Sequence, residues 1–184
     1  RESGQWARVI ELEEKLIVDE TEAAAKVEKL QALAHIAVEQ LSDPLAAYGF
    51  YERAYREAPG DTQNLALLEE AAERAGVTEK LLDTLLERAR AGTDDEQTRI
   101  KLRTRAAKLA EDLGRVDDAV EMSASLVKES KFEETAARAY DAMLRRLGRK
   151  DELRVLFEER IAHTNTAARI SLLKEWAQLE EDAF

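Results

Sequence analysis

Glu159 and His163 stand four residues apart in LFEERIAH, a spacing that brings a carboxylate and an imidazole to one helix face, where they could share a metal ion. An ordinary exposed helix pair explains the same spacing. A di-iron helical bundle needs a glutamate three residues before each histidine, but His35 follows Ala32 and His163 follows Arg160. Cysteine is absent, which removes disulfides, thiolate metal sites and cysteine nucleophiles together. The 7 glycines are too scattered to cradle a phosphate, and nothing resembles a nucleophile elbow or a zinc-protease helix. Acidic neighbours such as Glu69-Glu70 and Asp117-Asp118 recur, yet a catalytic acid needs a desolvated pocket, and acids on polar helix faces are ordinarily solvated. The expectation is a chain with no catalytic residues, no metal and no cofactor, and hence not an enzyme.

The elements that would position any such group must be helices. In 184 residues, 45% are apolar and 36% charged, with 7 glycines and only 2 prolines, a mixture that favours helix and starves β-turns. No run approaches eighteen consecutive apolar residues, so no membrane insertion is expected. The net charge of -11 opposes nucleic acid or an anionic membrane as the main partner. Charge is uneven: residues 1–92 carry 11 bases against 19 acids, and residues 93–184 carry 17 against 20. Arg1 in place of Met points to a piece of a longer protein, which leaves localisation open between cytoplasm and periplasm.

Short turns recur at Gly4-Gln5-Trp6, Ser42-Asp43-Pro44, Gly76-Val77-Thr78, Gly114-Arg115-Val116 and Gly148-Arg149-Lys150, each between amphipathic stretches. Their first residues are separated by 38, 34, 38 and 34 residues. The extra four residues are close to one helical turn of about 3.6 residues, so a long unit and a short one can stack in one array. The spacing predicts longer first helices near 21–41 and 94–113 and shorter ones near 62–75 and 132–147. Second helices are predicted near 5–19, 44–57, 78–91, 116–129 and 150–163. Pro44 suits a first helical turn, Asp61 and Thr78 are candidate N-caps, and Pro59 stops the unit before Asp61. Ala47 and Ala54 give small surfaces for a neighbouring helix, with Tyr51 filling the gap between them, and Ala107, Ala110 and Ala119 repeat the theme. Tyr48, Tyr51 and Tyr55 form a stripe expected to pack in the core.

On Ser42, Ala47, Tyr51, Ala54 and Pro59, with the turn glycines Gly114 and Gly148, the pattern resembles the tetratricopeptide repeat family, a 34-residue helix-turn-helix unit. The departures are serine for the turn glycine at Ser42, leucine at Leu81 and Leu153, and His35 and Asp141 in small-residue slots. The repeats are therefore degenerate, and other α-solenoid relatives share the pattern. The resemblance implies an all-α, right-handed α-α superhelix spanning residues 1–184, with units near 1–20 (partial), 21–60, 61–92, 93–130, 131–164 and 165–184 (partial). Both ends then read as cut, so exposed apolar faces and end-to-end self-association are expected there.

The family's first helices line a concave face. Carried over from the turn glycines, that register places Lys101, Thr104, Lys108, Glu111 and Asp112 inward on one unit and Thr135, Arg138, Ala142, Arg145 and Arg146 on the next. It places Lys29, Ala32, Ile36, Glu39 and Gln40, then Gln63, Ala66, Glu70, Glu73 and Arg74, on the earlier units. The candidate binding residues are Lys101, Thr104, Lys108, Arg138, Arg145 and Arg146, whose cations would pair with carboxylates of an acidic peptide or protein partner. Gln63, Ala66 and Glu70 do not supply the family's clamp for terminal carboxylates. The function expected is a non-enzymatic protein-interaction scaffold. The alternatives are an architectural spacer in a larger protein and an RNA-binding helical-repeat module.

Overall fold

The structure, a computed structural model, describes residues 2–92, 94–164 and 166–183. Its elements are α1 (Glu2–Val18), α2 (Ala23–Leu41), α3 (Pro44–Glu57), α4 (Thr62–Ala75), α5 (Thr78–Ala91), α6 (Glu96–Asp112), α7 (Val116–Glu129), α8 (Glu134–Leu147), α9 (Lys150–His163) and α10 (Thr166–Ala183). All elements among the described residues are helices, as the composition requires. The chain divides into two compact units, Arg1–Thr84 and Leu85–Phe184.

Helix ends follow from local chemistry. Ser42, Gly76, Gly114 and Gly148 all have positive φ, between 53° and 72°. After each of them the next residue's N–H reaches back to a carbonyl of the helix just ended: Asp43 to Ala37, Val77 to Ala72, Arg115 to Ala110 and Arg149 to Leu144, at 2.8–2.9 Å. One turn type thus closes all four first helices, and glycine suits it because no Cβ opposes the left-handed conformation. Asp43 accepts from the Ala46 N–H with Pro44 following, and Asp61 accepts from the Gln63 N–H, so both starts are capped as expected.

Two expectations are corrected. Gly4 lies inside α1, which begins at Glu2, so Gly4-Gln5-Trp6 is not a turn. A lone glycine costs a helix only about 1 kcal/mol, which neighbours readily offset. Thr78 is the first helical residue of α5 rather than its cap: the Val77 carbonyl accepts the opening bond from the Leu81 N–H at 3.2 Å, and valine has no capping oxygen to add.

In the first unit α1 packs on α2, α2 on α3 and α3 on α4; in the second α6 packs on α7, α7 on α8, α8 on α9 and α9 on α10. The alternation in length is present, with α2 and α6 at 19 and 17 residues against 14 each for α4 and α8. The first core interleaves Leu30, Leu33 and Phe50 with Ala34, Ala37, Ala47 and Ala54. These alanines let backbones approach while leucine and phenylalanine fill the grooves beside them. The second core is built on Leu144, Leu153, Leu156 and Phe157 around Tyr140. Leu153, placed by sequence in a small-residue slot, is buried there, as Leu81 is in the first unit. Of the tyrosine stripe, Tyr48 and Tyr55 are buried and Tyr51 is half-buried.

Candidate functional site

In the second unit the first helices α6 and α8 carry the predicted cations. Lys101, Thr104 and Lys108 are exposed on α6, and Arg138, Arg145 and Arg146 on α8. Arg146 is ion-paired with Glu111 of α6, so two residues assigned by sequence to one face do meet. The other arginines turn elsewhere. Arg138 donates to Glu134 at 2.5 Å, and Glu134 also pairs with Arg160 of α9 at 2.9 Å. Arg145 donates its Nε–H to both carboxylate oxygens of Asp141 at 3.0 Å and lies 6.0 Å from the centre of the Phe157 ring on α9. All three guanidiniums therefore have carboxylate partners. Lys101 and Lys108 have none among the described residues, so the uncompensated positive charge of this face sits on α6.

The carboxylate of Glu134 is held below its ordinary range by the Arg138 guanidinium first and by Arg160 second. Arg160 is only 4% exposed and also lies 5.8 Å from the Phe157 ring centre. Its charge is tolerated because an acid and an aromatic face replace the water it has lost.

The first unit offers a small polar cleft of about 60 Å³ between α2, α3 and α4. His35, Glu39, Glu70 and Arg74 rim it and Tyr51 lies in its wall, with Arg74 paired to Glu70 at 2.7 Å. His35 is exposed here rather than buried at the small-residue slot assigned to it by sequence. Beside it Gln31 of α2 donates to Asn64 of α4 at 2.6 Å, joining these two first helices.

A larger groove lies on the second helices α7 and α9, a face that the sequence reading left aside. Its volume is about 330 Å³, and Val120, Ala124, Val127, Val155 and Leu156 make it apolar, with Tyr140 also in its lining. Lys128, Asp151, Glu152 and Glu159 form the rim. Lys128 pairs with Glu159 at 3.0 Å, and Arg149 with Glu152 at 2.6 Å. Burial, then the negative charge of Glu152, pushes the Tyr140 hydroxyl up to about 12. One signal was available: Leu153, Leu156, Phe157 and Ile161 of α9 are buried, whereas Val155 is off that stripe and 49% exposed.

The Glu159 and His163 side chains are drawn apart. Nδ1 of His163 lies 2.8 Å from the Glu159 backbone oxygen, its ring stacks on Phe132 with centroids 4.5 Å apart, and the Glu159 carboxylate is on Lys128. No cluster of three metal-ligating side chains occurs among the described residues, and no helix among them is long and apolar enough to cross a membrane.

These features define an all-α chain of helices packed in sequence, whose surfaces offer ion pairs, a polar cleft and an apolar groove. No protein-family model matches the chain, and no curated protein matches it. Among solved structures, one described as "MamA MSR-1 C2" is similar at 18% identity, covering 87% of this chain and 87% of that one with a TM-score of 0.42.

Proposed function

We propose that the chain is a non-enzymatic protein-interaction scaffold, a single tetratricopeptide-like array that takes a carboxylate-rich segment of a partner along α6 and α8. The observation that carries this reading is the pair Lys101 and Lys108, exposed seven residues apart on α6 with no acidic neighbour engaged. Seven residues is two helical turns, about 10 Å, so both ammonium groups face the same way and can meet successive acids of an extended peptide. Thr104, midway between them, adds a hydroxyl. Arg146, tied to Glu111, borders this strip and positions it more than it binds.

The test is fluorescence anisotropy with a labelled synthetic peptide of alternating glutamate and alanine, in low salt and again near 0.5 M salt. Wild type is expected to bind weakly in low salt and to release the peptide as salt screens the charges. Lys101→Glu with Lys108→Glu is expected to weaken binding about tenfold or more, and Arg138→Glu to change it little, because Arg138 is engaged by Glu134. An unchanged dissociation constant for the double lysine variant would overturn the site.

A further inference from the structure

The groove on α7 and α9 has a rim pattern that its apolar floor does not require. Along α9, Asp151, Val155 and Glu159 follow one another at four-residue intervals, so one line on the helix reads acid, apolar, acid. Val155 is 49% exposed at its centre. Asp151 makes no ion pair among the described residues.

Helix α10 of the same unit carries the complementary pattern. Ile170 and Leu173 are 54% and 45% exposed, three residues apart on one face. Arg169 and Lys174 flank them, both exposed and both without an ion-pair partner among the described residues. This ridge reads base, apolar, apolar, base. On the adjoining face of α10, Leu172 is buried and Trp176 stacks toward Phe157 with centroids 6.5 Å apart, so the helix is anchored on α9 beside the ridge while Ile170 and Leu173 stay exposed.

We infer that the α7–α9 groove of one molecule receives the α10 ridge of a second copy. Ile170 and Leu173 then cover Val155 and the apolar floor, and Lys174 reaches Asp151, the rim acid that no base of its own chain engages among the described residues, while Glu159 stays on Lys128. A further exposed apolar pair, Leu12 and Leu16 on α1, is flanked by Arg8 and Lys15, but both of these bases are engaged by Glu11. That ridge has no free charge to offer an acidic rim, which is why α10 is the occupant. Groove and ridge are different surfaces, so the contact is head-to-tail and leaves a free groove and a free ridge on every dimer. Association therefore continues with concentration instead of stopping at a pair. One ridge in one groove is a small interface, so the expected dissociation constant is about 10–1000 μM.

The experiment is sedimentation velocity of the full 184-residue chain from micromolar concentration to about 1 mM, with circular dichroism confirming the helical fold of each variant. Wild type is expected to show a rising weight-average mass. Val155→Lys, and separately Ile170→Glu with Leu173→Glu, are expected to weaken association at least tenfold, whereas Leu12→Glu with Leu16→Glu leaves it unchanged. Asp151→Lys and Lys174→Asp should each weaken it, and the two combined in one chain should restore it. Mixing the groove variant with the ridge variant leaves one intact contact, so an equimolar mixture should form a 1:1 dimer and no larger species. A monomeric wild type at 1 mM, variants that associate as strongly as wild type, or a mixture that stays monomeric would each overturn the inference.

Discussion

Gln31 of α2 donates from its side-chain amide to the Asn64 side-chain oxygen of α4 at 2.6 Å, and Asn64 is 1% exposed. Asn64 also donates to the Ala58 carbonyl at 3.4 Å, so one buried amide ties a first helix to the preceding first helix and to the loop behind α3. Among the described residues of the first unit, nothing else spans these three segments with a polar side chain of comparable burial.

Asn64→Ala is expected to lower stability by about 1–3 kcal/mol, since it leaves the Gln31 amide without its partner and the Ala58 carbonyl with only the Asp61 N–H, at 3.2 Å. Asn64→Ala combined with Gln31→Leu should recover part of that loss, because an apolar pair strands no amide. Urea denaturation monitored by circular dichroism measures both. Equal midpoints for the single and double variants would show that the amide is not acting as the tie.

Ser42 adopts φ 53° and ψ 38°, the left-handed conformation that Gly148 adopts at φ 66° and ψ 23°. An L-residue there is strained by roughly 1–2 kcal/mol. Ser42→Gly is expected to raise the melting temperature by a few degrees, and Gly148→Ala to lower it by a similar amount. Nothing lies within 4 Å of a Cβ built at Gly148, so the loss would report backbone strain and not a clash. Thermal unfolding of the two variants side by side decides the matter; shifts of the same sign would contradict it.

These turns are also why the fold was legible. A left-handed residue after a periodic apolar stretch has a local signature, and it placed α3, α4, α5, α7 and α9 at the residues where they occur. The first helices α2, α6 and α8 each begin two residues later than expected because the residues before them act as caps, Asp95 and Glu133 with their side chains. Gly4 misled because composition alone does not distinguish a glycine that must be left-handed from one that a helix tolerates. The candidate surfaces were less legible. Helical register put Arg138 and Arg145 on a face, but which carboxylate each guanidinium takes depends on rotamers and on neighbouring helices. Glu134 and Asp141, both on the same helix, win that competition. The α7–α9 groove arises from pairing two second helices, and the only local hint was a valine off the buried stripe.

Glu133 caps α8, accepting from the N–H groups of Thr135 and Ala136 at 3.0 Å each. Those two bonds hold its carboxyl below the ordinary value of 4.5. A depressed folded-state value means the stabilisation is present above about pH 4.5 and disappears as pH falls through the lower folded value. Glu133→Ala is therefore expected to melt at a lower temperature than wild type at pH 7, and the difference should close as pH falls through the lowered folded-state value. A gap that persists in acid would assign the effect to helix propensity instead of the charged cap.

Tyr140 gives the opposite pH dependence. Its residue is 6% exposed, and burial followed by the charge of Glu152 raises the hydroxyl from an ordinary 10.0 to about 12. The neutral phenol is the form the fold accepts, so its stabilisation is intact below pH 10 and is lost as pH rises toward 12. Tyr140→Phe keeps the ring and removes the ionisable group. It should therefore change stability at pH 7 by less than about 1 kcal/mol, since the hydroxyl makes no hydrogen bond among the described residues. It should also unfold less readily between pH 10 and 12 than wild type does. Ultraviolet titration of phenolate should show one tyrosine fewer titrating late in the variant. If Tyr140 ionises near pH 10 in the native protein, its hydroxyl must already meet water through the α7–α9 groove, and the dry floor that the α10 ridge is expected to cover would be wet instead.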